Sequence, residues 1–334
     1  MSSLAAILSG LQRRRWIVAA LAVVLVGILV PAAGNQAVTF FWTTVAITAL
    51  YAMSVNLLIG FAGIPTFGQA AYFGIGAYAI GLLEPAGIPI LPALVIAMVT
   101  AAAGALLVGL VSLRASGLAF SMITLAVAQG LYVLTFHLDA VGGENGLVGI
   151  FPGTVLGVDL TASGTALWVF CLAIVVAGIA LLRLLTVSPF GRTLRMIRDD
   201  ARRAEFLGIP VRRYQAAAFV VAGAIAGLSG ALFTYAQGVA VPDYLYWTRS
   251  GDPIVMSIIG GMHTFLGPVL GAVVYMWTVD VLSKITVSWV LWVGLAFLVI
   301  VLAAPGGILG LPGEIRRLRL RLREDRVRSV RGPE

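Results

Sequence analysis

The stretch Asn56-Leu-Leu-Ile-Gly-Phe-Ala-Gly-Ile-Pro-Thr-Phe-Gly-Gln-Ala-Ala-Tyr-Phe-Gly-Ile-Gly-Ala-Tyr78 carries no charged side chain, yet it holds Pro65, several glycines and the amides of Asn56 and Gln69. It lies at the junction of two apolar runs, 37–60 and 66–83. Irregular backbone at membrane depth persists only where it is buried in protein or lines water, because lipid offers no hydrogen-bond partner. The stretch therefore reads as part of a helical membrane bundle and as a candidate wall of a solute path. Asn56 and Gln69, with Gln129 on another span, offer neutral hydrogen-bonding groups. Interhelical hydrogen bonding without transport is the competing account of the same amides.

Working outward, unbroken apolar runs occur near 16–34, 37–60, 66–83, 88–112, 116–136, 163–185, 214–236, 245–262, 265–283 and 286–304. A crossing needs about 20 apolar residues, so the expectation is an all-α, polytopic transmembrane helical bundle of about ten spans. Composition agrees: of 334 residues, 60% are hydrophobic and 11% charged, against roughly 45–50% and about 25% in soluble domains. The run 245–262 contains Arg249, Asp252 and Pro253 and is read as a crossing; a re-entrant half-helix would put the basic tail outside. Residues 16–34 are read as a retained first span, with a cleaved signal peptide as the alternative.

Net charge is +8, and its placement decides its meaning. Three arginines stand at Arg13 to Arg15, eight basic residues lie between Arg183 and Arg213, and eight between Arg316 and Arg331. Short cationic loops stay on the cytoplasmic side. Ten crossings put both termini and the loop 186–213 there, and leave Glu84, Asp139, Glu144 and Asp159 outside. The organisation is then a cytoplasmic segment 1–15, a transmembrane domain 16–312 and a basic cytoplasmic tail 313–334, where arginine alternates with Leu and Val and meets anionic lipid. The basic excess serves topology, and no nucleic-acid partner is expected.

Small residues at Gly223-xxx-Gly227 and Gly267-xxx-Gly271 allow close helix approach. Arg249 and Asp252, spaced i and i+3, are candidates either for a structural ion pair on one helix face or for a gate or substrate contact.

Several chemistries are missing. A phosphate-binding loop needs a lysine after its glycines, and the only lysine, Lys284, follows Ser283. The two histidines, His137 and His263, fall at opposite expected membrane faces, and the single cysteine, Cys171, lies within an apolar run. No metal site, cofactor or enzymatic activity is expected.

Four segments together carry a family resemblance: Asn56 to Tyr78; Val141-Gly-Gly-Glu-Asn-Gly-Leu-Val-Gly-Ile-Phe-Pro152; Ser188-Pro-Phe-Gly-Arg192 through Gly208-Ile209; and Ser250-Gly-Asp-Pro-Ile-Val-Met-Ser-Ile-Ile-Gly-Gly261 leading to Gly267-Pro-Val-Leu-Gly-Ala272. Over most of 37–312 the chain resembles the LivM type of branched-chain amino acid ABC transporter permease, although Asp252 stands where that pattern has Glu. The resemblance implies an importer subunit of the bacterial inner membrane that forms part of a translocation path for branched-chain amino acids or related small solutes. It also implies a second permease subunit, two ATP-binding subunits and an extracytoplasmic substrate-binding protein. Path candidates are Asn56, Gln69, Gln129, Arg249 and Asp252. The coupling loop for the ATPase holds Arg192, Arg195, Arg198, Asp199, Asp200, Glu205 and Gly208. A proton-coupled secondary transporter acting alone is the runner-up.

Overall fold

The computed structural model describes residues 34–155, 157–161, 163–303 and 306–309, together with Gly27 and Val30. The expected N-terminal segment 1–15, almost all of the first span 16–34 and the basic tail 313–334 lie outside the described residues.

The first described helix, α1 (Gln36–Asn56), begins where the Asn35 side chain accepts from the Ala37 N–H at 2.9 Å. Its threonines do not disturb an apolar environment, because each hydroxyl donates back to a carbonyl one turn earlier: Thr43 to Thr39, Thr44 to Phe40 and Thr48 to Thr44, at 2.8, 3.0 and 2.7 Å. The helix widens into a π-helical turn, Leu57–Ala62, and stops at Gly63 with φ 70°. Non-helical backbone, 64–68, leads to α2 (Gln69–Leu83). The stretch dense in Gly and Pro is thus an unwound joint between two buried helices, as its composition implied.

The chain continues through α3 (Ile90–Ser112) and α4 (Leu118–His137). A long connection follows, with short strands β1 (Leu147–Val148), β2 (Thr154–Val155) and β3 (Val158–Asp159). After it come α5 (Gly164–Val187), α6 (Pro189–Asp199), α7 (Ala201–Phe206) and α8 (Val211–Gln237). Strand β4 (Val239–Ala240) precedes α9 (Thr248–Gly260), α10 (Gly267–Ile285) and α11 (Trp289–Ala303). The two-residue ladders, β1 with β4 and β2 with β3, are antiparallel. They pin loops at one end of the bundle and leave the fold helical.

Among the described residues, six helices are long and apolar enough to cross a membrane: 36–62, 90–112, 118–137, 164–187, 211–237 and 267–285. The expected runs 66–83, 245–262 and 286–304 appear as the shorter helices α2, α9 and α11, of 15, 13 and 15 residues. At 1.5 Å per residue these reach only about 20–22 Å of a ~30 Å hydrocarbon core. Non-α backbone adjoins two of them: irregular chain at 63–68 before α2, and a 3-10 turn, Pro242–Leu245, before α9.

The centre is α1 with its π turn, 89% buried over its most apolar stretch, and α8, 67% buried, while the other four long helices are at most 28% buried. Backbone meets backbone at glycines. A Cβ on Gly76 of α2 would strike the Gly227 carbonyl of α8, and one on Gly230 would strike the Phe73 carbonyl. Both small-residue pairs of the sequence lie at close helix contacts: Gly223 and Gly227 seat on the Ala105 and Ala101 methyl groups of α3, and Gly271 seats on the Met256 carbonyl of α9. Aromatic edges fill what remains, with Tyr72 and Phe120 both edge-on to Phe219 at 5.5 and 5.7 Å. Leu107, Val111, Leu184, Val290, Leu298 and Leu302 face outward, as a surface solvated by lipid requires.

Candidate functional site

Two constructions of polar groups stand out against this apolar background. The first is a cavity of about 230 Å³ bounded by Thr48 and Tyr51 of α1, Phe73, Phe233, Arg249, Asp252, Met256, Tyr275 and Trp289. The helix that supplies its charges is shaped by proline. Pro253 has no N–H for the carbonyl four residues before it, which belongs to Arg249. The Tyr51 hydroxyl fills that vacancy, donating to the Arg249 carbonyl at 3.2 Å. The turn before α9 is pinned as well: Leu245 covers Gly74, and the Tyr244 ring lies 6.0 Å from that of Phe73. The Ser250 hydroxyl accepts from the Ala70 N–H at 2.8 Å, so α2 begins against α9.

Arg249 and Asp252 face this cavity together but form no salt bridge, so the structural ion pair, one of the two alternatives their spacing left open, is not formed. The guanidinium lies over the rings of Phe233 and Tyr244, 5.1 and 5.6 Å from their centroids. Asp252 accepts instead from the Tyr275 hydroxyl at 2.6 Å. The i, i+3 spacing was sufficient for contact; Tyr244 from the preceding turn and Phe233 and Tyr275 from neighbouring helices compete successfully for the two charges. Tyr51 and Tyr275 were not singled out from the sequence. A phenol inside an apolar span was the available signal, since its hydroxyl needs a partner when buried.

The second construction lies where the basic loop meets the bundle. Arg198 of α6 donates through Nη1 to the Gly60 carbonyl of the π turn at 2.6 Å and reaches His263 Nδ1 at 3.4 Å. Its Nη2 pairs with Asp199 at 2.8 Å. Gly63 packs on the Arg198 side chain, and Gly60 packs on the Met262 carbonyl in the turn between α9 and α10. Arg195 donates to the Gly191 and Thr186 carbonyls at 3.3 and 3.2 Å and lies over the Phe61 ring. Asp200 caps α7 by accepting from the Arg203 N–H at 3.0 Å and pairs with that side chain at 2.7 Å. Gly208, at φ 78°, ends α7, and its N–H donates to the Glu205 carbonyl at 2.9 Å.

Arg192, Arg195, Asp199, Asp200, Arg203 and Leu207 edge an open groove of about 580 Å³. Glu205 is exposed beside it, and so are the apolar side chains of Phe206 and Leu207, at 91% and 71%. Those two apolar residues escaped the sequence reading, which followed the charges.

The three amides do not line the cavity with Arg249. Asn56 is buried and donates to the Thr264 carbonyl at 3.4 Å, joining α1 to the α9–α10 turn, while its Oδ1 has no partner. Gln69 is fully buried with neither amide atom bonded, and Gln129 Oε1 on α4 is likewise unpartnered. Interhelical bonding accounts for half of Asn56. The histidines lie apart as expected: His263 beside Arg198, and His137 at the end of α4, within 2.9 Å of the Val133 carbonyl.

Helices of membrane-spanning length, a charged cavity between them and a helical basic loop tied to one end define a multi-pass helical membrane protein. The model of the branched-chain amino acid transport system permease component matches residues 37–304, and the chain belongs to that family. It is 24% identical over 291 residues to the high-affinity branched-chain amino acid transport system permease protein LivM of Escherichia coli (strain K12), covering 80% of this chain and 68% of that protein. Two proteins of Methanocaldococcus jannaschii also match. The probable branched-chain amino acid transport permease protein LivM is 26% identical over 269 residues, 68% of this chain and 75% of its own length. The probable LivH protein is 27% identical over 241 residues, 66% and 72%. No solved structure matches the chain. The resemblance to LivM-type permeases read from the sequence is borne out.

Proposed function

We propose that the chain is the membrane-spanning permease subunit of an ABC importer, forming part of the path for branched-chain amino acids or related small solutes. Separate ATPase subunits power it. The observation that carries this reading is the junction at Arg198, where a loop helix bonds at once to the unwound end of α1 and to the α9–α10 turn. Those are the elements that frame the cavity of Arg249 and Asp252, so a displacement of α6 is delivered to the cavity walls. The exposed pair Phe206 and Leu207 beside the arginine groove gives an ATP-binding subunit an apolar anchor within a charged rim.

In this reading the loop 186–213 is the cytoplasmic coupling segment, the bundle has about ten spans within 16–312, and both termini are cytoplasmic. The other partners are a second permease subunit, a second ATP-binding subunit and an extracytoplasmic substrate-binding protein, in the bacterial inner membrane. Reconstitution of the assembly in proteoliposomes tests it: uptake of leucine delivered by the binding protein requires ATP. Equal uptake without ATP, driven by a proton gradient through the single subunit, sinks the importer reading in favour of a secondary transporter.

A further inference from the structure

The two charges of the cavity are held apart. Arg249 and Asp252 lie one helical turn from each other, where Cβ atoms are about 5–6 Å apart, and opposite charges in surroundings of low polarity attract strongly. Each has nevertheless taken a neutral partner. The guanidinium rests on the faces of Phe233 and Tyr244 and makes no hydrogen bond among the described residues, and the carboxylate accepts from Tyr275. Both border one space of about 230 Å³, against the ~15 Å³ that a single water needs. A pair with a purely structural duty would close on itself.

We infer that this cavity binds a zwitterionic α-amino acid, its carboxylate on the Arg249 guanidinium, its ammonium on Asp252 and its side chain among Phe73, Phe233 and Met256. The carboxylate and ammonium of such a ligand hang from one carbon atom, which suits two protein charges a single turn apart. The guanidinium presents a planar fork of N–H donors that matches a carboxylate with two parallel bonds. Asp252 keeps lone pairs for an ammonium beyond the one it gives Tyr275. Apart from Thr48, whose hydroxyl is already spent on the Thr44 carbonyl, the rest of the wall is apolar or aromatic, including Met276 and Val279, so an aliphatic side chain is buried without stranding a polar group. Charge balance gives selectivity. A zwitterion satisfies both charges, whereas a carboxylic acid or an amine satisfies one and leaves its neighbour uncompensated.

The inference rests on the permease reading for how the ligand arrives, and the two are separable by experiment. The assembled transporter in lipid nanodiscs, without ATP or binding protein, is titrated with L-leucine, L-leucinamide and 4-methylpentanoate while its melting temperature is followed. L-leucine raises the melting temperature saturably, and the two analogues, each missing one charge, need at least about tenfold higher concentration. Arg249→Gln brings leucine down to the level of leucinamide, and Asp252→Asn brings it to the level of 4-methylpentanoate. Equal half-saturation by all three ligands, or no saturable shift, overturns the site in the native protein without recourse to any variant. ATP-dependent leucine uptake by the same preparation is scored separately. Uptake without discrimination among the ligands removes the site and leaves the permease; discrimination without uptake keeps the site and removes the permease reading.

Discussion

Arg198 Nη1 donates a 2.6 Å hydrogen bond to the carbonyl oxygen of Gly60, 138 residues away in sequence. Gly60 lies within the π-helical end of α1, and π turns of this kind accompany functional irregularities in helices. The bond fastens the loop helix α6 to the deepest helix of the bundle at the point where that helix loses its regular ladder.

On the proposed importer reading, Arg198→Gln is expected to uncouple transport from ATP hydrolysis. A hydrogen bond from a charged donor contributes about 1.5–3 kcal/mol, so stimulation of ATP hydrolysis by loaded binding protein falls roughly ten- to a hundredfold while basal hydrolysis persists. Asp199→Asn has a small effect, because Asp199 is 68% exposed and exposed ion pairs contribute at most about 1 kcal/mol. The ratio of leucine transported to ATP hydrolysed, measured for both variants, checks the difference; equal ratios would remove Arg198 from the coupling.

Tyr51 and Pro253 are predicted to be energetically linked through the Arg249 carbonyl. Tyr51→Phe leaves that carbonyl without its donor and lowers stability by about 0.5–1.5 kcal/mol, the usual range for such bonds within membranes. Pro253→Ala supplies the N–H that proline lacks, so the carbonyl regains a helical partner. The loss on removing the Tyr51 hydroxyl should then shrink toward zero. A double-mutant cycle on thermal unfolding reads the coupling directly, and additive effects would show that the hydroxyl matters for some other reason.

Most spans were legible because lipid imposes a one-dimensional rule. The runs 37–60, 88–112, 116–136, 163–185, 214–236 and 265–283 correspond to the six long helices at 36–62, 90–112, 118–137, 164–187, 211–237 and 267–285. Gly63 and Pro65 announced irregular backbone, but composition does not say how far the helix unwinds, and α2 therefore begins at Gln69. The site was less legible. Spacing placed Arg249 and Asp252 on one face, yet their partners Phe233, Tyr244 and Tyr275 come from three other segments. Which partner a charge takes depends on tertiary packing that local periodicity does not encode.

Gly230 and Gly130 should respond oppositely to the same substitution. A methyl group on Gly230 meets the Phe73 carbonyl, which is backbone and yields only if α2 and α8 separate. Gly230→Ala is expected to cost about 1–3 kcal/mol, as overpacking does, and to lower the melting temperature in detergent. At Gly130 nothing lies within 4 Å of the added atom. Gly130→Ala should be neutral or stabilising by about 0.5–1 kcal/mol, because glycine within a helix sacrifices more backbone entropy than alanine. Parallel melting curves decide, and a Gly230→Ala protein as stable as the parent would contradict the close approach of α2 and α8.

Phe206 offers the cleanest separation of assembly from folding. Its side chain is 91% exposed, so Phe206→Glu should leave the stability of the isolated chain within about 0.5 kcal/mol. If Phe206 anchors the ATP-binding subunit, the same change puts a charge into an apolar contact and weakens association at least roughly tenfold. Copurification of the ATP-binding subunit with the permease pair, quantified against chain inserted in the membrane, measures both effects in one preparation. Full recovery of the ATPase with the Phe206→Glu variant would move the docking surface off α7, leaving the arginine side of the groove around Arg192 and Arg195 to hold the partner.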